Sequence, residues 1–210
     1  MKLYWFRVAP NPTKVRLYIA EKIAHGAAIE IEGVVLDLLK GENRLTEHRA
    51  RNPFASLPVL ELDDGSTIVE SLAIIDYLED LYPDPPMWGL APRERARARE
   101  LERIVELRLM NPVAAYIHAT NSPIGAPRND GVAEWATARW PAALRYLDDC
   151  LADGRAFLFG TAPSVADCTL AATLQFARFA KLELLEGLDH LQRWDTAYRE
   201  RPVARMVLSL

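Results

Sequence analysis

The sequence predicts an α/β front domain built on a mixed four-stranded sheet, followed by an all-helical back domain. Three observations carry this. Residues 1–82 mix short β-branched or aromatic runs with two helical patterns, whereas the chain after about residue 92 carries only helical periodicity. Between them, Tyr82-Pro83-Asp84-Pro85-Pro86 places three prolines in five residues, which neither a helix nor a central strand tolerates. The chain is therefore divided into a front domain, 1–82, a linker, 83–91, and a back domain, 92–210.

The front elements follow in order. Lys2–Phe6 reads as a strand; Asn11 as a helix cap with Pro12 at the first helical position; and 13–24 as the helix they open. Ile29–Leu36 is a second strand. Val59–Leu62 and Thr67–Val69 flank the turn sequence Asp63-Asp64-Gly65-Ser66 and form an antiparallel hairpin. Leu72, Ile75, Leu78 and Leu81 share one face of a helix over 71–81. A right-handed β-α-β crossover makes the first two strands parallel, and the hairpin adds antiparallel partners: the mixed sheet of a thioredoxin-like domain.

The back domain opens with a helical pattern from Arg93 to about Ala119, which Pro112 should kink or break by its missing amide. A second pattern runs from about Gly131 to Leu151, with Pro141 as a further break. A third, Ser164 to Lys181, is almost wholly apolar and must be the centre of this domain. Ser164-Val165-Ala166-Asp167 opens it as a capping box with Asp in place of Glu. Residues 189–200 and 202–209 complete the bundle.

Composition is ordinary for a globular chain of 210 residues, half of them hydrophobic. Lys and Arg number 25 against 29 Asp and Glu, a net charge of −4, so no basic field points to nucleic acid or an anionic membrane. The arginines of 93–108 alternate with Glu94, Glu100, Glu102 and Glu106, as on a solvated or dimer-facing helix. No run approaches the ~20 apolar residues of a membrane span. The opening MKLYWF is strand-like, without a charged-then-apolar leader, and the expected location is cytoplasmic. Cys150 and Cys168 lie in apolar helical patterns outside any zinc or CxxC spacing and read as buried, reduced thiols.

Four stretches in order resemble the cytosolic glutathione S-transferase family. Asn52-Pro53-Phe54-Ala55-Ser56-Leu57-Pro58-Val59-Leu60 is similar to the approach to its cis-proline strand. Asp64-Gly65 through Ile68-Val69-Glu70-Ser71-Leu72-Ala73-Ile74 is similar to its acidic-serine motif. Gly41-Glu42-Asn43-Arg44 resembles its Gly-Glu-His-Lys loop, and Phe157-Leu158-Phe159-Gly160 with Pro163 to Asp167 resembles its helical-domain capping signature. The resemblance covers essentially the whole chain. It implies a homodimer with glutathione as co-substrate and no tightly bound cofactor, metal, nucleic-acid or membrane partner.

Glutathione is an extended peptide with an amino group, two carboxylates and a central thiol. By resemblance the Leu57–Pro58 bond is cis and the Leu57 backbone pairs with the cysteinyl unit like an added strand, although an ordinary trans proline is the commoner form. Ser71 with the free amides of its helix start makes a pocket for the γ-glutamyl carboxylate, and Glu70 pairs with the amino group; both would serve equally as a plain helix cap and dipole partner. Asn43 takes the glycyl carboxylate by resemblance, with Lys40 or Arg44 adding charge, unless this is a solvated loop.

The thiol, with a pKa near about 8.5, must be drawn to thiolate. A shift of two units needs about 2.7 kcal/mol. Here the chain departs from the family. Ala9 and Pro12 align where relatives carry serine or cysteine, and neither donates a proton. The remaining candidates are Asn11, Thr13 with the first-turn amides, and Tyr4, which as a strand residue is more often core. Without a cysteine, mixed-disulfide chemistry is not expected. The electrophile is expected near Arg108, Met110, Asn111 and Tyr116 beside the Pro112 kink, where Met110 and Tyr116 also fit a core role. The expected activity is conjugation of glutathione to small hydrophobic electrophiles, with peroxide reduction open. The competing readings are a non-catalytic binding or assembly module, and a specialised dehalogenase or isomerase of the same family.

Overall fold

A computed structural model describes residues 1–209. The elements in order are β1 (Lys2–Trp5), α1 (Pro10–Ala24), β2 (Glu32–Val35), α2 (Thr46–Arg51), β3 (Val59–Glu61), β4 (Thr67–Val69) and α3 (Ser71–Leu81). Helices follow: α4 (Pro92–Val105), α5 (Asn111–Asn121), α6 (Asp130–Thr137), α7 (Trp140–Cys150), α8 (Val165–Phe179), α9 (Asp189–Glu200) and α10 (Pro202–Val207). The strand order is β2-β1-β3-β4, with β1 and β2 parallel and the other pairs antiparallel. This is the mixed sheet of a thioredoxin-like domain followed by a helical domain.

Two local readings need correction. Asn11 does not cap α1: Ala9 holds the extended cap position, and Asn11 lies inside the first turn between Pro10 and Pro12. Pro10 sets the helical φ two residues before Pro12 does, and the first amide that finds a carbonyl is Thr13, 3.1 Å from the Ala9 oxygen. The stretch between β2 and β3, read only as a connection, contains a 3-10 turn at Glu42–Arg44 and the short helix α2.

The break foreseen at Pro112 takes the form of a π-helical turn, Glu106–Met110, between α4 and α5. Proline has no amide for the carbonyl four residues back, and the rod widens locally to accommodate the missing bond. The break near Pro141 falls just before it, with α6 ending at Thr137 and α7 starting at Trp140.

Helix α8 is the axis of the molecule. Every residue from Val165 to Ala177 is buried, as its apolar sequence requires. Its Asp167 carboxylate closes the capping box, accepting from the Ser164 amide at 2.9 Å and hydroxyl at 2.7 Å, and also accepts from the Leu158 amide and Trp194 Nε1. Helix α1 lies between the sheet and α8. Leu3, Leu17 and Leu60 from the front half therefore share one continuous core with Leu101, Val105 and Leu174 from the back.

Candidate active site

Sheet register brings the chemistry to one end. Tyr4 pairs with Val59 across β1 and β3, and Val59 pairs with Val69 across β3 and β4. Because both pairs are antiparallel, the exit of β1, the entry to β3 and the exit of β4 lie together. The start of α1, the Leu57–Pro58 bond and the Glu70–Ser71 corner are the segments found there. Contact confirms the convergence: Ser71 Oγ donates to Asn11 Oδ1 at 3.1 Å.

Ser71 is the first residue of α3 and is buried. The first amide of this helix to find a carbonyl is Ile74, 3.0 Å from Glu70. The amides of Ser71, Leu72 and Ala73 have no partner among the described residues, so three donors and the positive end of α3 face one point. Glu70 is exposed and holds φ 71° and ψ 121°, outside the regions favoured by side-chain-bearing residues. Such outliers concentrate where surroundings over-determine the backbone, often at ligand sites.

The Leu57–Pro58 bond is cis, as the resemblance implies. The Leu57 N–H and C=O have no partner among the described residues. Asn43 Nδ2 donates to the Ala55 carbonyl at 2.7 Å, tying the loop after β2 to the turn before Pro58. Buried Asn52 holds that turn from inside, with Nδ2 on the Ser56 carbonyl at 2.9 Å and Oδ1 on the Phe54 amide at 3.0 Å. Lys40 stands exposed at the rim, its ammonium 3.4 Å from Asp37.

Two of the three thiol-activation candidates are not brought to this place. The Thr13 side chain is fully buried, its amide engaged by Ala9 and its hydroxyl accepting from Gln175 Nε2 at 3.3 Å. Tyr4 lies on the opposite sheet face from Leu3 and Trp5, because successive strand side chains alternate. It donates to Glu61 at 2.9 Å beneath the Arg51 guanidinium, and burial together with that bond raises its pKa. Asn11 remains. Pro10 and Pro12 have no amide to give, so this helix start offers the Asn11 amide and, with Oδ1 occupied by Ser71, the Asn11 Nδ2.

An apolar cleft of about 100 Å³ opens beside Ala9 and Pro10, closed by Phe6, Leu39, Phe176 and His118. His118 is the one titratable side chain lining it among the described residues. Its Nδ1 lies 3.1 Å from Ser122 Oγ, its ring packs against Phe176, and burial lowers its pKa below the ordinary imidazole value. The ring is therefore neutral at physiological pH and free to accept a proton.

The residues expected to hold the electrophile do not converge here. Arg108 is exposed in a separate groove with Arg139 and Tyr146. Met110 is buried in the core, Asn111 is exposed, and Tyr116 packs edge-on against Trp140 beside Lys181. The long rod brings its last turn, not its kink, to the cleft. The available signal was His118 itself, the lone imidazole in the apolar stretch Val113–Ala119, together with the aromatic pair Phe176 and Phe179 one turn apart on α8.

Comparison with known proteins identifies the family. Residues 3–86 match the glutathione S-transferase N-terminal domain and residues 94–194 the glutathione S-transferase C-terminal domain. Glutathione S-transferase 2 of Saccharomyces cerevisiae is 32% identical over 217 residues, covering 100% of this chain and 90% of its own. Maleylacetoacetate isomerase of Pseudomonas aeruginosa is 28% identical over 186 residues, 84% of this chain and 81% of its own. The crystal structure of a glutathione S-transferase domain-containing protein of Marinobacter aquaeolei superposes with a TM-score of 0.87 at 37% identity, covering 97% of this chain and all of that one. The chain belongs to the glutathione S-transferase family.

Proposed function

We propose that this protein activates the glutathione thiol and adds it to a small hydrophobic electrophile held in the cleft between α1, α5 and α8. The observation that carries the reading is the meeting at one sheet end of an unpaired Leu57 backbone, the free amides of α3 and an apolar cleft containing one neutral imidazole. The Leu57 N–H and C=O take the cysteinyl backbone as a strand takes its neighbour. The γ-glutamyl carboxylate sits at the α3 start on Ser71, with Glu70 on the amino group. Asn43, through its free Oδ1 or its hold on the loop, and Lys40 at the rim bound the glycyl end.

In this reading the sulfur lies beside Asn11 and His118. Asn11 donates to the developing thiolate, a charge-assisted hydrogen bond of about 1.5–3 kcal/mol. His118 takes the proton, directly or through one water, as a general base. Together they supply what the missing hydroxyl at Ala9 and Pro12 does not. Phe6, Leu39 and Phe176 favour an apolar partner for the sulfur.

The test is ultraviolet difference absorbance of bound glutathione against pH, alongside calorimetric titration. An enzyme of this kind lowers the thiol pKa by a unit or more; binding without that shift would leave the non-catalytic module as the correct reading. The similarity to a maleylacetoacetate isomerase favours one second reading, glutathione-dependent isomerisation of an unsaturated diacid, which a substrate panel separates from conjugation.

A further inference from the structure

The Ser56 carbonyl, one residue before Leu57, is held from inside the molecule by two donors. Asn52 Nδ2 reaches it at 2.9 Å and His48 Nε2 at 3.1 Å. A carbonyl can only accept, so the imidazole proton sits on Nε2. Both side chains are buried, and the turn they grip is a forced one: Ala55 holds φ 53°, a left-handed conformation that few residues with a Cβ adopt.

The imidazole fits its place imperfectly. Its Nδ1 is buried with no partner among the described residues, and a bare buried acceptor is destabilising. A phenyl ring would fill the same space without that penalty, in surroundings that suit it, since His48 meets the Tyr4 ring edge-on with centroids 6.4 Å apart. What a phenyl ring lacks is the Nε2 proton. The bond to Ser56 is therefore what histidine supplies here and a purely packing residue would not.

The ring is carried by a fixed element. Helix α2, only six residues long, is pinned to the sheet by its last residue: Arg51 Nε donates to Glu61 on β3 at 2.8 Å, and the Arg51 carbonyl accepts from the Thr67 hydroxyl on β4 at 3.0 Å. The Asn52 amide closes the helix on the His48 carbonyl at 2.9 Å, which ties the two donors to each other.

Peptide geometry gives the grip its consequence. The Ser56–Leu57 peptide is trans, so its C=O and N–H lie in one plane and point in opposite directions. Anchoring the oxygen inward turns the Leu57 N–H outward, and two donors on one oxygen keep the plane from swivelling. We propose that His48 is a positioning residue of the glutathione site: through Ser56 it aims the Leu57 N–H at the cysteinyl carbonyl of the tripeptide. The inference rests on the reading that Leu57 takes the cysteinyl backbone. His48 stands behind the turn and acts only through it.

The test is calorimetric titration of the full chain with glutathione, alongside thermal unfolding, for two variants. His48→Phe keeps a ring against Tyr4 and loses the donor. His48→Gln loses the ring and keeps an amide donor at the reach of Nε2. His48→Phe should unfold at the same temperature as the unaltered chain or higher, yet bind glutathione about tenfold more weakly. His48→Gln should unfold at a lower temperature, yet bind within about threefold of the unaltered chain. Stability and affinity thus rank the variants in opposite orders, which a residue that only packs cannot do. Binding by His48→Phe equal to that of the unaltered chain, or binding by His48→Gln weakened as much as by His48→Phe, would overturn the role of His48 and leave the Leu57 reading standing. No heat from glutathione with the unaltered chain would overturn the Leu57 reading and the role of His48 together.

Discussion

The Ser71 hydroxyl donates to the Asn11 side-chain oxygen at 3.1 Å, joining the first turn of α3 to the first turn of α1. The bond does two things at once. It orients the Asn11 amide so that its Nδ2 faces outward as a donor, and it fixes the Ser71 side chain at the mouth of three free amides. Removing the serine and removing the asparagine should therefore have different kinetic signatures. Ser71→Ala should raise KM for glutathione about tenfold, because it disturbs the carboxylate pocket. Asn11→Ala should act mainly on kcat, lowering it about tenfold to a hundredfold as the thiolate loses a charge-assisted donor. Steady-state kinetics with varied glutathione separates the two, and identical effects on KM alone would remove Asn11 from the thiol step.

His118 gives a pH prediction. Burial holds its pKa below the ordinary imidazole value, so the base is neutral above that depressed pKa and charged below it. The rate should therefore fall on the acid side only as pH drops below about 6.5. His118→Gln should lower kcat by about 10²-fold and flatten that limb. A variant that keeps the limb would assign it to another group.

The front half was legible because its signals are local. The turn at Asp63–Ser66, the period of Leu72, Ile75 and Leu78, and Thr67–Val69 each carry their geometry within a few residues, and β4 and α3 fall where periodicity puts them. Asn11 reads as the cap from sequence because Asn-Pro is a helix-start signal in itself, and nothing local says that Pro10 has already started the helix. The cleft was harder to see. Which face the α4–α5 rod shows to α1 depends on a π turn that shifts its register, and sequence spacing assumes a constant turn. Constant spacing consequently points to Arg108 and Tyr116 rather than to His118, two residues beyond Tyr116. The cross-links between the halves, such as Gln175 with Thr13 and Arg201 with Glu21, join residues too distant in sequence for any window to pair.

Asp167 should be the costliest single carboxylate to lose. It is buried, its pKa is raised by that burial, and it accepts from the Leu158 amide at 2.9 Å, the Ser164 amide at 2.9 Å, the Ser164 hydroxyl at 2.7 Å and Trp194 Nε1 at 3.1 Å. Asp167→Ala orphans these donors and opens a cavity at the head of the central helix. Chemical denaturation should show a loss of about 3–5 kcal/mol. A loss under about 1 kcal/mol, the scale of an ordinary exposed cap, would mean that α8 is held by its apolar contacts alone.

The charges between the two halves predict an unusual stability profile. Lys14 on α1 lies 2.8 Å from Glu106 and 3.4 Å from Glu102, one cation serving two carboxylates, and Glu102 Oε2 is buried with no partner. Burial, only partly offset by Lys14 and reinforced by Glu106, pushes the Glu102 pKa up to about 7. Glu106 is also opposed by burial, yet Lys14 holds it below the ordinary value. Between the ordinary carboxyl pKa and about 7, the folded chain keeps a proton on Glu102 that the unfolded chain has released. The folded state binds more protons there, so its stability falls as pH rises through this window. Glu106 works in the opposite sense, contributing stability that is lost as pH falls through its depressed pKa, and so acts below the window. Thermal unfolding from pH about 5 to about 7 should show the unaltered chain losing on the order of 1–3 kcal/mol more than Glu102→Gln. Parallel curves for the two proteins would mean that Glu102 keeps its charge in the folded state, with Lys14 and Thr169 stabilising it more than burial opposes it.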